Sequence, residues 1–127
     1  MEFSRHNPPA VAAPQGGYAH GLALPAGARL LFISGQVPQL GDGRVPPDFE
    51  GQCRAVWTNI LEILSSAGLT VANLAKVTTY LTRQDQADAN GRIRREVLGS
   101  HRPALTVVVV QTLESQWLLE SEAIAAS

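Results

Sequence analysis

From Ala104 to Gln111 the chain reads Ala-Leu-Thr-Val-Val-Val-Val-Gln, a run dominated by β-branched side chains. Such side chains lose rotamer freedom in a helix and pack well on a pleated surface, so the run is expected to be a strand. After a short break, Leu118 to Ala125 (LLESEAIA) gives a second strand. Strand side chains alternate, which puts Glu120 and Glu122 on one face and Leu119, Ser121 and Ala123 on the other. Two carboxylates on an otherwise apolar strand lie on a solvated edge or line a polar cleft. Which of these holds decides what the protein does.

The rest of the chain supplies the elements that must pack with this pair. Residues 1–17 are rich in Pro and Ala with little periodicity and read as a flexible N-terminal arm; 18–127 form a single domain. Tyr18 to Leu24 and Arg29 to Ser34 are apolar runs joined by Pro25-Ala26-Gly27-Ala28, which suggests a hairpin. Val37 to Pro47 is loop, marked by two glycines and three prolines. Asp48 is an N-cap candidate for a helix whose Cys53, Val56, Trp57, Ile60, Leu61 and Leu64 fall on one face. Glu50 and Arg54 are spaced to pair on the opposite face, and Gly68 can end the helix. On that face Cys53 and Trp57 read as core rather than chemistry.

Leu74 to Thr82 reads as another strand, and Asp85 to Leu98 as a shorter, more polar helix with Ile93 and Val97 inward. Gly91 within it costs about 1 kcal/mol relative to Ala, and Gly99 can close it. The order β-β-α-β-α-β-β predicts an α+β subunit: a mixed sheet with two helices on one face. The other face is then uncovered. Val107 and Val109 are expected there, and an exposed apolar face implies a homo-oligomer.

The totals exclude several function classes. Net charge is −1 and the pI about 6.3, so no nucleic acid footprint is expected. No apolar run approaches the roughly 20 residues that span a bilayer, and no secretory signal is expected, so no membrane role is predicted. One cysteine rules out an internal disulfide and suits a cytoplasmic setting. His6, His20 and His101 show no ligand spacing, so neither a metal nor another cofactor is expected.

Several segments, in order and at the right spacing, resemble the Rid family, the reactive intermediate deaminases also called YjgF-like or L-PSP proteins. They are Gly17-Tyr18-Ala19-His20-Gly21, Ile33-Ser34-Gly35-Gln36-Val37-Pro38, Asn59-Ile60-Leu61 with Ala67-Gly68-Leu69, Val77-Thr78-Thr79-Tyr80-Leu81, Asn90, Pro103-Ala104, and Glu120-Ser121-Glu122-Ala123-Ile124-Ala125. The resemblance runs from about Pro14 to Ala125. It implies a chorismate-mutase-like subunit, a trimer of such subunits, and a small-molecule ligand in clefts at the subunit interface. It also implies cofactor-free hydrolysis of enamines and imines to 2-keto acids and ammonia.

Carried over, the resemblance makes Glu120 the catalytic, water-positioning residue, with Tyr18, Ser34, Gly35, Asn90 and position 105 lining the substrate site. From the residues alone Glu120 is equally a solvated strand residue, Tyr18 a packing residue and Ser34 a turn residue, while His20 could serve as a cleft acid-base group. Position 105 departs from the family pattern: Leu105 stands where the family carries an Arg that grips the substrate carboxylate. A guanidinium gives a bidentate, charge-assisted grip that Leu cannot give. Losing one partner of a desolvated charge pair costs about 2–5 kcal/mol, so 2-imino acids are expected to be poor substrates. Arg102 is expected to lie on the opposite face, whereas Arg29, Arg83, Arg92 or Arg94 of a neighbouring subunit could stand in. The alternative is a non-catalytic small-molecule-binding or regulatory protein on the same scaffold; RNA cleavage has little support from the charge.

Overall fold

The computed structural model describes residues 2–127. In chain order the elements are β1 (Ser4–His6), β2 (Gly21–Ala23), β3 (Leu30–Gln36), α1 (Phe49–Ser66), β4 (Leu74–Leu81), α2 (Ala87–Leu98), β5 (Ala104–Val109) and β6 (Leu119–Ala126). Helix α1 begins where Asp48 accepts the Gly51 N–H at 3.0 Å, and Glu50 pairs with Arg54 at 3.2 Å along its exposed side. Gly68, just beyond its end, takes φ +74°, a conformation that other residues rarely adopt. Cys53, Val56, Trp57, Ile60 and Leu64 are buried as their spacing predicts. Leu61 is not: it is 40% exposed, because one helical step from Ile60 carries it to the edge of the buried stripe.

Helix α2 starts later than the expected Asp85. The Gln86 side chain accepts the backbone N–H groups of Thr82 and Arg83, both at 3.1 Å, and holds 84–86 in a 3₁₀ turn first. Ile93 is fully buried and Val97 half-buried. Gly99, at φ 60°, closes the helix.

The main sheet has the order β3-β6-β4-β5, with β4 and β5 parallel and the other pairs antiparallel. Parallel neighbours need a long crossover, and α2 is that crossover. The result is the expected α+β architecture, a mixed sheet with both helices on one face. The hairpin expected between Tyr18–Leu24 and Arg29–Ser34 does not form. β2 instead pairs with β1, inside the segment expected to be an arm, and β3 pairs with β6. β6 offers β3 a longer ladder, and its small Ala123 and Ala125 meet Ile33 and Leu31 in register.

Burial along β4 alternates: Val77, Thr79 and Leu81 lie under the helices, while Lys76, Thr78 and Tyr80 face away. The register carries this to its neighbours. Val77 is opposite Leu105, Thr79 opposite Val107 and Leu81 opposite Val109, so all three β5 residues lie on the helix side. This corrects the expectation that Val107 and Val109 occupy the uncovered face. They are exposed because β5 is an edge strand; Val108, level with Tyr80, is the valine on the open face. The open face also carries Phe32, 71% exposed, opposite Ile124.

Candidate functional site

Glu120 and Glu122 share the open face, as alternation predicts. Glu120 is half-buried and level with Tyr80; Glu122 is exposed and level with Thr78. Tyr80 sits diagonally from Glu122 and its hydroxyl donates to the Glu122 carboxylate. That hydrogen bond, with the negative charge beside it, pushes the Tyr80 phenol above its usual range. Glu122 is thereby committed to a cross-strand contact. The Glu120 side chain makes no hydrogen bond among the described residues and is left to face a depression of about 350 Å³. Gly35, Tyr80, Glu122 and the loop from Val110 to Leu113 complete its walls.

Gly35 is there because the backbone bulges. The pairing of β3 with β6 shifts register between Ile33 and Gln36, leaving Ser34 and Gly35 without partners. A bulge re-aims the chain locally. Here it brings Gly35 so close to Glu120 that a Cβ would lie 1.9 Å from Oε2. Only glycine admits the carboxylate at this place. Ser34 beside it is exposed; its carbonyl accepts Gln36 Nε2 at 3.0 Å, and no base adjoins its hydroxyl.

The other residues singled out lie elsewhere. Leu105 is half-buried on the helix side and packs against the core, on the sheet face opposite to Glu120. Asn90 is buried on α2, with its side-chain oxygen 3.8 Å from the Cys53 thiol. Burial pushes that thiol up to about 12, so Cys53 is a core residue. Asn90 also lines a second depression, of about 560 Å³, between α2 and Val107. Tyr18 lies at the start of β5, where the Ala19 N–H donates to the Pro103 carbonyl at 2.9 Å, and stacks edge-on against His20. The His20 ring Nε2 donates to the Ala12 carbonyl, and the His20 backbone N–H donates to Asn7 Oδ1 at 2.8 Å. Arg102 donates to the Gly99 and His101 carbonyls.

One chain therefore brings Glu120 and Gly35 together, with Ser34 next to Gly35 in the bulge, and sets Asn90 and Leu105 apart from them, across the sheet. Sequence reasoning gave no role to Tyr80 or to the Gln111–Leu113 wall. Alternation along β4 carried a signal for Tyr80; nothing local signalled the wall, which depends on where β5 ends. The described residues hold no group of three His, Cys, Asp or Glu side chains able to bind a metal, and no helix long and apolar enough to cross a membrane.

Comparison with known proteins bears on this geometry. Residues 9–127 match the model of the family described as Endoribonuclease L-PSP. RutC family protein PH0854 of Pyrococcus horikoshii is 36% identical over 115 residues, which cover 88% of each chain. TdcF of Escherichia coli K12, whose name marks it as a candidate reactive intermediate deaminase, is 30% identical over 87% of this chain and 86% of its own. Among solved structures, the Rid-family protein YyfB of Yersinia pestis, titled as of unknown function, superposes with a TM-score of 0.88 at 28% identity over all of both chains. The crystal structure of E. coli TdcF with bound serine gives a TM-score of 0.74 at 29% identity over 90% of this chain and 91% of that one.

Proposed function

This chain belongs to the endoribonuclease L-PSP family, the Rid or YjgF family, and from that premise we propose that it hydrolyses small enamine or imine intermediates through Glu120. The observation that carries the proposal is the Glu120 carboxylate, held over the glycine bulge at Gly35 with no hydrogen bond of its own. An acceptor kept free beside a depression suits a water molecule better than a structural role. Glu120 takes a proton as the water oxygen bonds to the imine carbon, and the C=N electron pair moves to nitrogen, which is protonated. In the resulting amino alcohol the hydroxyl proton passes through Glu120 to the nitrogen, the O–H electron pair forms the C=O bond, the C–N bond breaks, and ammonia leaves. Water and imine become carbonyl compound and ammonia, with no change in oxidation state.

The working site is a cleft between copies of the chain, assembled as a homotrimer. Two observations support this. Phe32, Leu30 and Val108 expose apolar surface on or beside the open face. Asn90 and Leu105 reach Glu120 only from another copy, because the sheet separates them within one chain. A small ligand accords with the serine bound to E. coli TdcF, and one buried reduced thiol accords with a cytoplasmic setting.

Leu105 makes 2-imino acids poor substrates, since an aliphatic side chain offers their carboxylate no donor. Assay of 2-iminopropionate and of a neutral imine tests both parts. The wild type is expected to turn over 2-iminopropionate slowly, and Leu105→Arg faster. Glu120→Gln is expected to lower turnover of the neutral imine roughly hundredfold or more. Fast wild-type hydrolysis of 2-iminopropionate removes the argument from Leu105. Unchanged turnover in Glu120→Gln removes the catalytic reading and leaves a small-molecule-binding protein on this scaffold.

A further inference from the structure

Arg94 is one turn along α2 from Asn90 and on the same face, with only 6% of its surface exposed. Its Nη2 donates to the Gly16 carbonyl at 2.8 Å, while its Nε is buried without any hydrogen-bond partner. No carboxylate answers it: the ion pairs of α2 join Arg92 to Glu50 and Glu96, and Arg54 to Glu96. Arg95 beside it adds a like charge. A guanidinium has five donors, and burying one that meets a single carbonyl is unfavourable unless an acceptor arrives from outside. Arg94 also lines the 560 Å³ depression, with Asn90, Gly91 and Val107.

We infer that this depression is a carboxylate-binding subsite in which Arg94, carried by the helix, receives the anion that Leu105 on the strand cannot hold. Arg94 supplies the charge, Asn90 a neutral polar group four residues away, and Val107 an apolar wall. Asp88 also lines the depression, and its negative charge opposes the anion that the guanidinium attracts. Arg94 is on the helix and position 105 on the strand, so the two would hold a carboxylate at different places. The ligand class is a small carboxylic acid other than a 2-imino acid. What that acid undergoes rests on the hydrolytic reading above; the anion site does not.

Calorimetric titration of the full chain with succinate and, separately, with neutral succinamide tests the subsite without turnover. The wild type is expected to bind succinate in preference to succinamide. Arg94→Gln is expected to weaken succinate roughly ten- to hundredfold and leave succinamide unchanged. Arg94→Lys, which keeps the charge but not the fork, is expected to fall between them, and it carries the test if Arg94→Gln does not fold. The inference is overturned if the wild type shows no preference for succinate, as it would with another copy's carboxylate already on Arg94. It is equally overturned if substitution leaves succinate binding intact or weakens both ligands alike. Glu120→Gln separates the two proposals: it should keep succinate binding, so loss of the hydrolytic reading would leave the subsite standing.

Discussion

The two faces of the main sheet are built from the same strands, one residue apart, and have opposite characters. The helix side carries Val77, Leu81, Leu119, Ala123 and Ala125, all buried, and its polar members answer one another: Thr79 and Ser121 share a hydrogen bond of 2.8 Å. The open side carries Lys76, Thr78, Tyr80, Glu120 and Glu122, with Phe32 and Val108 exposed among them. The polar side chains that the sheet itself puts on the closed side, Thr79 and Ser121, are answered from within the chain. On the open side Glu122 and Lys76 are answered, by Tyr80 and by Thr106 at 2.7 Å, while Glu120 is not. Apart from Arg94 Nε, the buried side-chain donors and acceptors of the described residues are satisfied, and the half-buried Glu120 carboxylate stands out beside them.

The strongest way to sharpen this contrast is to remove apolar side chains on each side. Leu64→Ala, beneath the closed face, is expected to cost about 2–5 kcal/mol in urea denaturation, since Leu64 is fully buried. Phe32→Ala is expected to change the stability of the isolated subunit by about 0.5 kcal/mol or less. A large loss at Phe32 that grows on dilution would mean that other copies cover the open face. Gly35→Ala comes next. The new methyl would displace only the flexible end of Glu120, so the unfolding midpoint should hold while turnover falls roughly hundredfold through misplacement. Equal activity would break the link between the bulge and the carboxylate.

Smaller effects concern titration. Cys53 has an ordinary thiol value of 9.0 that burial raises to about 12. The unfolded chain therefore ionises first, so the contribution of Cys53 to stability is complete below pH 9 and is lost as pH rises from 9 towards 12. A disulfide reagent at pH 8 should find no reactive thiol in the native protein and one after denaturation. On the open face the Tyr80 phenol should titrate above its ordinary value of 10.0 by ultraviolet absorption, and Glu122→Gln should bring it back. No movement in that variant would show that the Tyr80–Glu122 contact is not formed in solution.

Much of the fold was legible in the chain because its cues are local. The three-and-four spacing from Cys53 to Leu64, with Asp48 before it and Gly68 after it, describes a complete helix. Alternation from Leu118 to Ala125 separated the two glutamates from the core before any partner was known. The candidate site was legible only in pieces. Glu120 and Gly35 were singled out from their segments, but their near contact depends on a bulge in the pairing of β3 with β6. The expectation for β3 itself, a hairpin with the segment before it, was wrong, because the partner that matched it best lay at the other end of the chain.

The sequence by itself determined the two helices and the strands of the main sheet, where α1 begins and stops, and which residues of each strand share a face. Tertiary structure decided which strands pair, that Leu105 and Val107 lie under the helices, and that the Glu120 carboxylate and Arg94 Nε find no partner among the described residues. The physical reason is the range of the interactions. Capping, helical spacing and side-chain alternation act within a few residues, whereas strand pairing selects among distant partners whose loop-closure costs differ little. A single step of register then moves a side chain from one face to the other, and with it the chemistry that the face can do.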